Sequence, residues 1–168
     1  EAFGDAAIRG QVRLTSANSV NVGRLLPQSV YYFHAVARVQ ETQGTGDHIA
    51  RRVSRAIIVC TPSGNFGNLT AGLMAKRMGA PVARFVAATN VNDVVPQYLE
   101  TGTFLPRASL HTIANAMDVG NPSNFERMLW LYGGDRDALR KDVAGGRYED
   151  AVVKATMKDV FDRTGYVL

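Results

Sequence analysis

The chain has 168 residues, of which 46% are hydrophobic and 20% charged, the length and make-up of one ordinary globular domain. No run approaches the ~18 apolar residues of a membrane span, and no signal-peptide pattern opens the chain. The net charge of +4 is spread too thinly for a nucleic-acid footprint. The densest basic stretch, Arg51, Arg52 and Arg55, reads as a solvated face. The expectation is a soluble, cytoplasmic protein with neither a membrane nor a nucleic-acid partner. Cys60 is the single cysteine, which excludes an internal disulfide and a thiolate cluster and reads as a small buried hydrophobe. His34, His48 and His111 fall in no metal-ligand spacing.

In chain order, Val12 to Thr15 reads as a short strand, followed by a helical pattern from about Val20 to Val39. Leu26, Val30, Phe33 and Ala37, spaced three or four apart, are expected to face the core. Pro27 predicts a kink or two abutting helices. Gln40 to Asp47 reads as a loop. Arg55 to Cys60, rich in β-branched residues, suits a strand covered on both faces. Asn68 to Met78 reads as a helix stopped by Gly79 and Pro81, and Val82 to Ala88 as the next strand. Asp93 is placed to cap a helix with Pro96 in its first turn and Gly102 at its end. Asn121-Pro122 opens a helix ending at Gly133-Gly134. Asp135 opens a short one ending near Gly145, and Tyr148 to Arg163 forms the last. Strands alternating with helices predict an α/β fold: three layers, with a mostly parallel sheet and helices on both faces, as a single domain over residues 1–168.

Chemistry concentrates in Pro62-Ser63-Gly64-Asn65-Phe66-Gly67-Asn68, between a strand and the start of a helix. Unpaired backbone N–H groups converge at such a place, and the helix dipole favours an anion. Glycines let the backbone approach a phosphate. Ser63, Asn65, Asn68 and Thr70 offer side-chain donors. The loop matches neither G-x-x-x-x-G-K-[ST] nor G-x-G-x-x-G, so the spacing alone leaves phosphate binding and a plain strand-to-helix turn both open. Asn90, Asn92 and Asp93 form a second polar cluster past a strand's C-terminal end, the edge where open α/β sheets bind ligands.

TPSGNFGNLTAGLMAKRMGAPVARFVAATNVNDVVP (Thr61 to Pro96) resembles the stretch of bacterial and fungal threonine synthases that holds their cofactor-phosphate loop. LTSANSVNVGRLLPQSVYYFHA (Leu14 to Ala35) and ANAMDVGNPSNFERML (Ala114 to Leu129) resemble the flanking blocks, in the right order. The resemblance implies part of the cofactor-binding region of a fold-type-II pyridoxal phosphate enzyme that converts O-phosphohomoserine and water to threonine and phosphate. It implies cofactor-phosphate contacts at Gly64, Asn65, Phe66, Gly67 and Asn68. The SANSVN block puts Ser16, Asn18 and Asn21 forward for the cofactor or the substrate phosphate, with a helix cap and a polar network as the other reading.

The family's Schiff-base lysine, in a phenylalanine-lysine-aspartate motif, has no counterpart here. Lys76, Lys141, Lys154 and Lys158 match no such position, and the serine-glycine-aspartate-threonine-glycine motif is also absent. The start at Glu1 and the stop at Val167-Leu168, which reads as a strand beginning, suggest an internal fragment. Such a fragment is expected to be inactive alone and to need the missing segments of the same protein. The alternatives are a fragment of a related pyridoxal phosphate dehydratase or cysteine synthase, and a standalone module that binds small phosphorylated ligands.

Overall fold

The computed structural model describes residues 2–15, 18–19, 21–43 and 56–167. After a 3-10 turn at Ala2–Gly4, helix α1 (Ala6–Gln11) starts where the Asp5 carboxylate accepts from the N–H groups of Ala7 and Ile8. The strand expected at Val12 to Thr15 does not form: Val12 is extended but caps α1. A second 3-10 turn, Val22–Arg24, leads into helix α2 (Leu25–Gln43). Pro27 falls in the first turn of α2, where its missing N–H costs nothing, so of the two expectations the abutting helices are met, the 3-10 turn running directly into α2, and the kink is not.

The buried stripe of α2 is Leu25, Ser29, Tyr32 and Val36. The expected stripe points outward instead, with Leu26, Val30, Phe33 and Ala37 all exposed. Both stripes have helical spacing, and only the position of the neighbouring helix α3 (Gly67–Arg77) decides between them.

Strands β1 (Ile57–Pro62), β2 (Val82–Thr89) and β3 (Val143–Arg147) form one parallel sheet in the order β1-β2-β3. The α/β class and the parallel sheet are as expected, with β1, α3 and β2 as the βαβ unit. The strand β3 is not foreseen: its sequence VAGGR reads as a helix tail, because glycine is depleted in strands. The glycines have a packing role. A Cβ on Gly145 would lie 2.8 Å from Pro96 Cα, so its absence lets helix α4 (Val94–Thr101) close onto the strand.

Helix α5 (Phe125–Leu131) and helix α6 (Arg136–Asp142, capped by Asp135) precede β3, and helix α7 (Asp150–Thr164) follows it. Phe85, Ala87 and Val143 of the sheet join Leu69, Leu73, Val94, Leu99, Phe125, Met128 and Leu139 in one core. Burying a side chain of this size is worth roughly 1.5–3 kcal/mol. The helical cover expected over both faces is dense on this one. On the other, Ile58, Cys60 and Arg84 remain exposed among the described residues. Cys60 is thus a solvent-facing thiol, contrary to the buried role expected of it. Among the described residues no helix is long and apolar enough to cross a membrane.

Candidate functional site

Strand β1 ends at Pro62, and α3 begins at Gly67, so Ser63 to Phe66 turn the chain from sheet to helix. The Ser63 N–H continues the ladder to Ala88 O at 2.8 Å. Phe66 is the N-cap of α3 and makes no side-chain capping bond. Its φ of 60° puts a bulky residue in the left-handed region, the one such residue among those described. That conformation costs about 1–3 kcal/mol and clusters at ligand sites. The Phe66 ring is buried in the core, which holds the backbone in this shape.

The side chains of the loop are engaged by the protein itself. Ser63 Oγ donates to Thr61 O at 2.9 Å, and Thr70 Oγ1 donates to Phe66 O at 2.7 Å. The Asn65 side-chain oxygen accepts from Ser123 N at 2.6 Å and Ser123 Oγ at 3.0 Å, and its amide donates to Ser19 Oγ. Asn124, fully buried at 0% exposure, donates to Asn65 O and Ser19 O, each at 3.0 Å, and accepts from Arg127 at 2.7 Å. Tyr32 donates its hydroxyl to Asn68. What remains for a ligand is chiefly backbone. The first turn of α3 has N–H groups that no capping side chain meets.

The two glycines of the loop differ. A Cβ at Gly64 would lie 2.7 Å from Met117 Cα, so internal packing requires that glycine. A Cβ at Gly67 would meet Asn124 at 3.4 Å, Ser19 at 3.5 Å and Leu25 at 3.9 Å, all ordinary contacts, and Gly67 has no positive φ. Neither packing nor backbone shape demands a glycine there, which leaves the close approach of another group. Directly before the loop, the buried Thr61 hydroxyl faces the Tyr32 phenol. An uncapped helix start and an unforced glycine fit a phosphate group.

Ser16 lies outside the described residues. Asn18 is exposed, and its carbonyl accepts from Asn21 N at 3.1 Å. The Asn21 side chain caps the 3-10 turn by accepting from Gly23 N at 2.9 Å. Within that block, Ser19 is a described residue that meets the loop, and, like Ser123, Asn124 and Tyr32, it is not placed at the loop by the sequence. All four lie in the blocks that carry the resemblance. Lys76 is at the far end of α3, about 14 Å along the axis from Gly67. Its ammonium donates to Ala83 O at 2.7 Å and to Asp142 at 2.8 Å.

The second cluster is self-contained. The Asn90 amide donates to Thr112 Oγ1 at 2.9 Å and to Asp118 at 2.7 Å. The Asn92 amide donates to Asn90 Oδ1 and Leu110 O, each at 2.9 Å, while its oxygen accepts from Leu110 N at 2.7 Å. The Thr112 hydroxyl on the Asp118 carboxylate, joined by the Thr112 N–H and the Asn90 amide, holds that carboxyl below its ordinary value against the opposing effect of burial. Asp93 stands at the N-cap of α4 but makes no side-chain cap. Its buried carboxylate takes the guanidinium of Arg107 and, at 3.9 Å, that of Arg147.

No protein-family model matches the chain. A threonine synthase of Escherichia coli (strain K12) is 43% identical over 161 residues, which are 95% of this chain and 35% of that protein. The crystal structure of threonine synthase from Escherichia coli is similar with a TM-score of 0.80 at 41% identity, over 99% of this chain and 36% of that one. The X-ray structure of PLP-bound threonine synthase from Brucella melitensis gives a TM-score of 0.83 at 32% identity, over 99% of this chain and 39% of that one. The chain spans a little over a third of the length of these relatives.

Proposed function

We propose, starting from a chain that belongs to the threonine synthase family over the segment it spans, that Gly64, Asn65, Phe66, Gly67 and Asn68 hold the phosphate of pyridoxal phosphate. The observation that carries this reading is Gly67 at the uncapped start of α3: a glycine that neither packing nor φ requires, beside N–H groups with no capping side chain. The helix dipole adds partial positive charge at that point. In this reading Asn65 and Asn68 act mainly through their backbone, because their side chains hold the loop to Ser19, Ser123 and Tyr32.

The protein of which this chain is a segment converts O-phosphohomoserine and water to threonine and phosphate. Pyridoxal phosphate, when bound, supplies the electron sink for that reaction. This chain contributes the grip on the cofactor phosphate, and the remaining segments of the same protein contribute the lysine and the substrate site. The engagement of Lys76 by Asp142, remote from the loop, supports the view that Lys76 does not serve in its place. The chain alone is therefore inactive.

The test is binding of pyridoxal phosphate to the chain, with unphosphorylated pyridoxal as control and borohydride to trap any imine. Preferred binding of the phosphate form without one specifically trapped lysine is expected. Equal binding of both forms overturns the loop assignment. Specific trapping at one lysine, or turnover of O-phosphohomoserine, overturns the claim of inactivity.

A further inference from the structure

Tyr32 occupies a notch in α3 that only a glycine leaves open. A Cβ at Gly72 would lie 2.8 Å from Tyr32 Cζ and 2.6 Å from Phe85 Cε1, closer than side chains pack. Gly72 and Asn68 are four residues apart, on one face of α3. A phenol seated at Gly72 can therefore extend one helical turn toward the start of α3. Its hydroxyl meets the Asn68 carbonyl at 3.1 Å and the Asn68 side-chain oxygen as well. The ring is buried and lies edge-on to Phe85, with 5.8 Å between centroids. Burial pushes the phenol well above its ordinary range, so it stays a donor at any working pH.

The first turn of a helix frays unless something ties it down, and Phe66 at the N-cap gives no side-chain bond. Two outside ties stand in for the cap. Asn124 holds the carbonyl of Asn65, and Tyr32 holds that of Asn68, so the chain is anchored two residues before Gly67 and one residue after it. We propose that Tyr32 is a positioning residue for the phosphate loop: by fixing Asn68 it sets the direction in which the first-turn N–H groups of α3 meet a bound phosphate. The inference rests on the reading of the loop given above.

Tyr32→Phe keeps the ring in its notch and removes only the hydroxyl. Affinity for pyridoxal phosphate is expected to fall about tenfold, one step of roughly 1.4 kcal/mol, while affinity for pyridoxal stays unchanged. The thermal midpoint should move by only about 2–4 °C, as for one lost hydrogen bond. Amide exchange should accelerate at Thr70, whose N–H closes the first turn of α3 on Phe66 O, and not in β2. An equal loss for both ligands, or an unchanged preference for the phosphate form, overturns the proposal.

Where the unsubstituted chain shows no preference for pyridoxal phosphate, the reading of the loop fails separately, and exchange alone decides the clamp. Faster exchange confined to the first turn of α3 supports it, and unchanged exchange overturns it. Should Tyr32→Phe not fold, Asn68→Ala at an exposed position removes the side-chain half of the same contact. Exchange at that turn is then read with the same two outcomes.

Discussion

Two polar clusters sit past neighbouring strands of one parallel sheet, and they spend their hydrogen bonds differently. After β2, the side chains of Asn90, Asn92, Thr112 and Asp118 bond to one another and to the backbone of Leu110, forming a closed network that pins the irregular segment 102–118. After β1, the side chains of Ser63, Asn65, Asn68 and Thr70 are also committed, yet the backbone at the start of α3 keeps donors that no capping side chain meets. Both clusters occupy the edge where α/β sheets bind ligands. What sets the proposed phosphate loop apart from the closed network is that its backbone donors remain open.

The largest effect should come from breaking the closed network. Asn92→Ala strips the side-chain partner from Leu110 N and Leu110 O in a part-buried setting, while Asn90 Oδ1 keeps the N–H of residue 92. Leaving such groups unpaired costs about 1–3 kcal/mol each, less whatever water recovers, so a loss of about 2 kcal/mol is expected. Urea unfolding should show a lower midpoint at constant m-value. Under non-denaturing conditions the preference for pyridoxal phosphate over pyridoxal should survive. Loss of that preference in a folded Asn92→Ala protein would mean that the two clusters are one site.

Gly67→Ala should do the opposite. The added Cβ meets only ordinary contacts and replaces glycine at a helical position, so stability should change by less than about 1 kcal/mol. A methyl group beside the open N–H groups should cut affinity for pyridoxal phosphate by about tenfold or more. Affinity measured by titration beside a melting curve separates the two effects. A lower midpoint with unchanged affinity would place Gly67 in the packing and not at the ligand.

What could be read from sequence follows from how local each signal is. The loop was legible because a β-branched run, the break at Pro62-Ser63-Gly64 and the stop at Gly79 lie within a few residues of one another. The face of α2 was not, because two apolar stripes compete along it, and the buried one includes Ser29 and Tyr32, which look polar in a list. In β3 the packing need for glycine against Pro96 hid the strand. The partners of the loop were invisible for another reason. Asn124 reaches Ser19 across 105 residues, and no periodicity encodes a bond between segments that meet only in the fold. Of the SANSVN block, Asn21 took the capping role that its residue type favours, and Ser19 took the contact with the loop.

The smallest effect sought is a difference in acid sensitivity between the same two regions. The Asp118 carboxyl titrates below the ordinary 3.8 in the folded chain, chiefly through the Thr112 hydroxyl. Burial works to raise Asp142, but its bonds from Lys76 and Tyr132 outweigh that and leave it lowered too. A folded-state value below the unfolded one means that the native chain binds fewer protons in the window between them. The stabilisation is thus complete above about 3.8 and is lost as pH falls through the folded-state values. No carboxylate lies between Ser63 and Thr70, and the loop's bonds to Ser19, Ser123 and Asn124 carry no titrating group. As pH is lowered below about 4, amides of the Asp118 network such as Leu110 and Thr112 should lose exchange protection before Thr70, whose N–H closes the first turn of α3 on Phe66 O. Asp118→Asn should flatten the acid dependence on the network side and leave that of Thr70 unchanged. Simultaneous loss at both places would show that they open as one cooperative unit despite their separate hydrogen bonding.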